Sequence, residues 1–142
     1  MADVLMVYWS GTGNTEMMAE KIKEGLENEG LNVEMAMVDE ITPSDVEHYQ
    51  KLVFGCPSMG EEELEETEFE PFFEDITHLL KDKHIALFGS FGWGEGEWME
   101  LWEARVKDAG AHLFSDGLKV NYTPTDEDEE ACVAFGEAFA KI

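Results

Sequence analysis

Apolar runs and helical patterns alternate along the chain. Residues 4–9, VLMVYW, are continuously apolar, as a strand covered on both faces requires. Over 14–28, Met18, Ile22 and Leu26 recur every four residues, which marks one face of a helix, and Gly30 stops it. LNVEMAMV (31–38) alternates as a second strand. ITPSDVEHY (41–49) suits a short helix capped by Thr42 or Ser44. LVFGC (52–56) reads as a third, buried strand. A long acidic loop, PSMGEEELEE, leads to a helix marked by Phe69, Phe72, Phe73, Ile76 and Leu80. HIALFGS (84–90) is the fourth strand, and FGWGEG (91–96) a glycine-rich loop. Trp98, Leu101, Trp102, Val106 and Ala109 share a helical face that Gly110 ends. AHLFSDGLKV (111–120) is a fifth strand, interrupted near Asp116–Gly117. Residues 126–140 form the last helix, with Ala131, Phe135, Ala138 and Phe139 inward and DEDEE at its start, where negative charge is favourable.

Five strands alternating with five helices predict an α/β fold: a parallel sheet with helices on both faces. Ligands of such sheets bind beyond the carboxyl ends of the strands, where the strand order reverses. The loops after strands 1, 3 and 4 should therefore converge on one site. They also have the most unusual composition: SGTGNT, PSMGEE and SFGWGEG. No linker, repeat or composition shift divides the 142 residues, so one domain over 1–142 is expected.

Composition narrows the function. With 44% hydrophobic residues the chain is no disordered acidic tail. No apolar run reaches the roughly 20 residues of a membrane span, and no secretory pattern is present, so a soluble cytoplasmic protein is expected. Cys56 and Cys132 sit in apolar company and read as reduced, buried thiols. The four histidines have no ligand spacing, so no metal site is expected. A formal net charge of −24 repels nucleic acid and favours partners with basic docking surfaces. The alternative explanation of the charge is solubility or adaptation to high salt.

The first loop carries the chemistry. Gly11 and Gly13 allow a tight turn that brings N–H groups toward a ligand. Ser10, Thr12, Asn14 and Thr15 add neutral donors, and a helix N-terminus follows. Together they make an anion nest that suits a phosphate; the alternative is an ordinary strand-to-helix turn. A nucleoside-triphosphate loop needs a lysine, yet no Lys or Arg precedes Lys21. A dinucleotide fingerprint needs a third glycine, where Glu16 stands. A low-molecular-weight tyrosine phosphatase would carry cysteine and arginine here. A response-regulator receiver would carry adjacent acids after the first strand.

SGTGNTE after the first strand, PSMGEEELEETEFEPF after the third and GSFGWGEGEWM after the fourth resemble the short-chain flavodoxins of anaerobic bacteria, and the likeness runs along essentially the whole chain. The resemblance implies a flavodoxin-like, three-layer, doubly wound five-stranded sheet in the order 2-1-3-4-5. It also implies non-covalent flavin mononucleotide (FMN). Pro57, Ser58, Met59, Gly60, Glu61 and Glu62 match the loop beside the isoalloxazine, and Ser90, Phe91, Gly92, Trp93 and Gly94 the loop on its other side. By the same resemblance, Met59 covers the inner ring face and Trp93 stacks on the outer. The Gly60–Glu61 peptide flips on one-electron reduction, and Glu62 receives the flavin N3–H. Glu63, Glu65 and Glu66 read as a solvated acidic surface.

Residues 61–75 hold nine acids and no base. One charge about 8 Å from the flavin, at an effective dielectric near 40, contributes roughly 1 kcal/mol, on the order of 45 mV for one electron. Several would oppose formation of the anionic, fully reduced flavin and leave the neutral semiquinone unpenalised. The expected protein is a monomeric, low-potential one-electron carrier. It would shuttle between semiquinone and hydroquinone with redox protein partners, and perform no turnover of its own. Alternatives are a flavin-dependent quinone reductase, a dedicated flavin partner of ribonucleotide reductase and a flavin-free binding module. The role of 121–125, NYTPT, stays open.

Overall fold

A computed structural model describes residues 2–142. Its single sheet is parallel throughout. β1 (Val4–Tyr8) lies between β2 (Val33–Met37) and β3 (Lys51–Gly55), and β3 pairs in turn with β4 (His84–Phe91). The fifth position is shared by two short strands. β5 (His112–Leu113) pairs with the start of β4, and β6 (Leu118–Asn121) with its end. The order 2-1-3-4-5 is the one the family resemblance implies, and the last strand is interrupted as the sequence predicts.

All five residues of β1 are buried, and successive ones feed opposite cores. Leu5 and Val7 join Leu52, Phe54, Ile85 and Leu87 on one face. There they meet α2 (Pro43–Glu47), α3 (Phe69–Ile76) and α4 (Glu97–Asp108). Val4, Met6 and Tyr8 join Val53, Ala86 and Phe88 on the other, beneath α1 (Asn14–Asn28) and α5 (Asp126–Ala140). The period of two in a strand puts neighbours on opposite sides, so both layers are read from one apolar run. Cys56 and Cys132 are free and buried, one in each layer.

Two helix faces differ from the predicted ones. In α4 the buried residues are Trp98, Met99, Trp102 and Val106, while Leu101 is 64% exposed. In α5 they are Cys132, Gly136 and Phe139; Ala131 and Ala138 face solvent. The cause in α5 is its close crossing with α1. A Cβ at Gly136 would collide with the Ile22 carbonyl, and one at Gly25 with the Val133 carbonyl. The glycines set the rotation of the helix, and alanine at the boundary is too small to oppose it. The start of α5 is fixed by a reciprocal cap. Thr125 Oγ1 accepts from the Asp128 N–H (3.2 Å), and the Asp128 carboxylate accepts from the Thr125 N–H (2.9 Å).

Candidate functional site: a cleft at the carboxyl ends of the strands

Ser10–Thr15 turn from β1 into α1, with Gly13 at φ +95° as the residue before the helix. The Ser10 hydroxyl oxygen accepts from the N–H groups of Gly13 (3.1 Å) and Glu16 (3.3 Å). Its lone pairs are engaged, so its proton is free to be donated. Thr12 Oγ1 accepts a longer bond from Asn14 N–H, 3.4 Å. The backbone N–H groups of Gly11, Thr12 and Thr15 have no acceptor among the described residues. Orphan donors at a helix N-terminus are the chemistry of an anion site. The side chain of Thr15 has another role: buried, it lies 2.9 Å from the Ser90 hydroxyl and ties this loop to the end of β4.

The loop opens on a cleft of about 240 Å³. Gly11, Thr12 and Asn14 line it from the first loop. Pro57, Ser58 and Met59 come from the second, and Ser90, Phe91 and Gly92 from the third. The predicted convergence is therefore present. The β3–β4 ladder holds the two later loops in register: Cys56 N–H donates to Phe88 O and Ser58 N–H to Ser90 O. Among the described residues, no cationic side chain lines the cleft. Neutral donors for a phosphate, with apolar walls of Met59 and Phe91 beside them, fit a flavin mononucleotide.

Two lining residues were not foreseen, Trp9 and Tyr122. Trp9 ends the apolar run of β1, and its indole N–H donates to Glu68 at 3.2 Å, joining the phosphate-side loop to the acidic segment. Tyr122 gives the open NYTPT stretch a place. It follows β6, has φ +58° and donates its backbone N–H to Phe91 O at 2.7 Å. Asn121 Nδ2 donates to Gly92 O at 3.0 Å. A Cβ added at Gly92 would lie 3.2 Å from the Tyr122 ring. The loop after the fifth strand is thus a fourth wall. The only sequence signal for it is an aromatic residue just past a broken strand.

The second loop is tighter than its composition indicates. Met59 and Glu63 exchange backbone hydrogen bonds (2.8 and 2.9 Å), closing a turn in which Gly60 has φ +53° and Glu62 φ +58°. Met59 is 39% exposed and Trp93 65%. Trp93, between Gly92 and Gly94, lies outside the cleft lining, on a loop displayed to solvent. Glu62 is buried. Its Oε1 accepts from the N–H groups of Gly96 and Glu97, both at 3.0 Å, so it caps α4 and couples the second loop to the third.

Glu65 departs from the solvated reading. It is buried, and its carboxylate accepts from the N–H groups of Thr67 and Glu68 (both 2.8 Å) and Phe69 (2.9 Å), and from the Thr67 hydroxyl. Burial pushes its pKa up, but these four donors outweigh it and hold the carboxyl below its ordinary value. Glu65 is a cap for α3. At the foot of the first loop, burial and the Glu16 carboxylate raise the Tyr8 phenol to about 12. Burial likewise raises both thiols, Cys132 to about 12, so neither is a nucleophile at neutral pH. Among the described residues no cluster of three or more His, Cys, Asp or Glu is placed to hold a metal. Nor is any helix long and apolar enough to cross a membrane.

Comparison with known proteins matches this geometry. The family model for flavodoxin matches residues 6–136. The flavodoxin of Megasphaera elsdenii is 45% identical over 138 residues, 97% of this chain and 98% of the relative. That of Clostridium beijerinckii is 44% identical over 137 residues, 96% and 99% of the two chains. The solution structure of two-electron reduced Megasphaera elsdenii flavodoxin superposes with a TM-score of 0.88, covering 98% of this chain and 99% of that one. From phosphate-type loop to strand order to sequence identity along the chain, this protein belongs to the flavodoxin family.

Proposed function

We propose that this flavodoxin carries single electrons between redox proteins on non-covalently bound FMN, at the lower of the two one-electron steps that the flavin supplies when bound. The observation that carries the reading is the first loop. It offers unpartnered N–H groups of Gly11, Thr12 and Thr15 beside a hydroxyl whose proton is free, with no cation in a chain of charge −24. Ser10–Thr15 hold the phosphate through these donors. Pro57, Ser58 and Met59 and the 90–94 segment enclose the ring, with Trp93 closing over it from its exposed loop. Glu61 and Glu62 complete the second loop, where Glu62 Oε2 remains for a flavin N–H. Gly60 carries the backbone freedom that the Gly60–Glu61 peptide needs in order to change conformation.

With Met59 and Trp93 over its two faces, the ring would offer a second substrate little access. We read the protein as a carrier and not a turnover enzyme, a cytoplasmic monomer of one domain whose redox partners present basic docking surfaces. The test is to titrate apoprotein with FMN and with riboflavin, which lacks the phosphate. FMN binding at least about 100-fold tighter is expected, since several charge-assisted hydrogen bonds are lost without the phosphate. Equal affinities would remove the loop from its role. Steady NAD(P)H-to-quinone turnover by the pure protein would overturn the carrier reading.

A further inference from the structure

Beside α4, with a lining distinct from that of the cleft, lies a groove of about 440 Å³. Its floor is apolar: Leu64, Trp98, Leu101 and Trp102. Leu101 is the residue whose exposure contradicts the amphipathic pattern of α4. The rim is acidic, with Glu63, Glu66, Glu70 and Asp108. Its cation, Arg105, is already engaged. Its guanidinium pairs with both oxygens of Glu70, at 2.7 and 2.8 Å, and lies over the Phe73 ring. Glu63, Glu66 and Asp108 have no ion-pair partner among the described residues. The floor also holds an orphan donor. The indole N–H of Trp102, 1% exposed, is the one buried side-chain polar group without a partner among the described residues. The atom itself is closed to solvent, so it reports on the groove from beneath.

Resting on the carrier reading, we propose that this groove docks a basic segment of a redox partner. One apolar side chain seats against the exposed Leu101, and lysines or arginines meet Glu63 and Glu66. A second copy of the chain is disfavoured, because each brings −24 to the contact, and an anionic membrane surface is excluded for the same reason. The Glu62 carboxylate lines the groove and also caps α4, so the groove starts directly against the loop that flanks the cofactor. A partner seated there stands beside the cofactor without covering it.

The test uses ¹⁵N-labelled holoprotein and two synthetic peptides, acetyl-GKGKLKGKG-amide and its counterpart with glycine in place of leucine. The Trp102 indole N–H resonance should shift on titration with the first. The leucine-free peptide and the Leu101→Ser protein should each bind about fivefold or more weakly, as expected for losing part of one buried leucine contact. Glu130→Gln, on α5, should change affinity less than twofold. A stationary Trp102 resonance, equal binding of the two peptides, or an unaffected Leu101→Ser protein would overturn the proposal. Leu101→Ser keeps the net charge, and its FMN affinity is measured in parallel. Loss of FMN binding by the unsubstituted chain would instead sink the carrier reading.

Discussion

Among the residues in the left-handed region, Gly60 and Tyr122 flank the site at opposite edges. Gly60 at φ +53° has open space where a Cβ would point, so Gly60→Ala introduces no clash. It introduces only the backbone cost of that φ, about 1 kcal/mol. The apoprotein should lose that much stability in a urea titration. The potential of the first reduction should shift as well; an unaltered one would remove the Gly60–Glu61 peptide from its role. Tyr122 at φ +58° is strained in the way functional loops often are. Trp93→Ala is expected to weaken FMN binding by about 1–3 kcal/mol, taking aromatic–base stacking as the analogue. Quenching of flavin fluorescence reads this directly, and an unchanged dissociation constant would remove Trp93 from the ring.

At the scale of elements, the acidic second loop is built by carboxylates that cap helices. Glu65 caps α3 and Glu62 caps α4. Because the folded protein holds the Glu65 carboxyl below its ordinary value, its contribution is present above the unfolded value, near 4.3. That contribution is lost as pH falls through the lower, folded value. Glu65→Gln should therefore cost about 1–3 kcal/mol at pH 7. It should also flatten the acid limb of the stability curve; thermal melts from pH 7 to pH 3 measure both. This cap was not legible in the sequence, where Glu65 is one acid among nine, and only burial and four donors single it out. The faces of α4 and α5 were hidden for a different reason. Leu101 and Ala138 fit an apolar stripe by spacing, but tryptophan packing and the Gly25–Gly136 crossing decide the rotation. The broken fifth strand and the three converging loops could be read, because the period of two, the alternation of elements and the clustered glycines are local signals; the strand order came only with the family resemblance. Trp9 and Tyr122 reach the cleft through tertiary pairing that no local signal encodes.

For the molecule as a whole, 33 acids against 9 bases repel one another and attract basic partners. Raising sodium chloride from about 20 to 500 mM shortens the Debye length from roughly 20 Å to under 5 Å. The holoprotein should therefore melt several degrees higher in the saltier solution. Electron transfer from the reduced protein to ferricytochrome c, a basic one-electron acceptor, should slow at least about tenfold over the same range, whereas a flat rate would separate the charge from docking. The central claim is that this chain divides flavin reduction into two separate steps and works at the lower. Stepwise anaerobic dithionite titration, followed by absorption, tests it most directly. A long-wavelength band should grow to a maximum at one electron per flavin and vanish at two, with the second step well below the first. Direct bleaching from oxidised to fully reduced flavin, with no such band, would contradict the account.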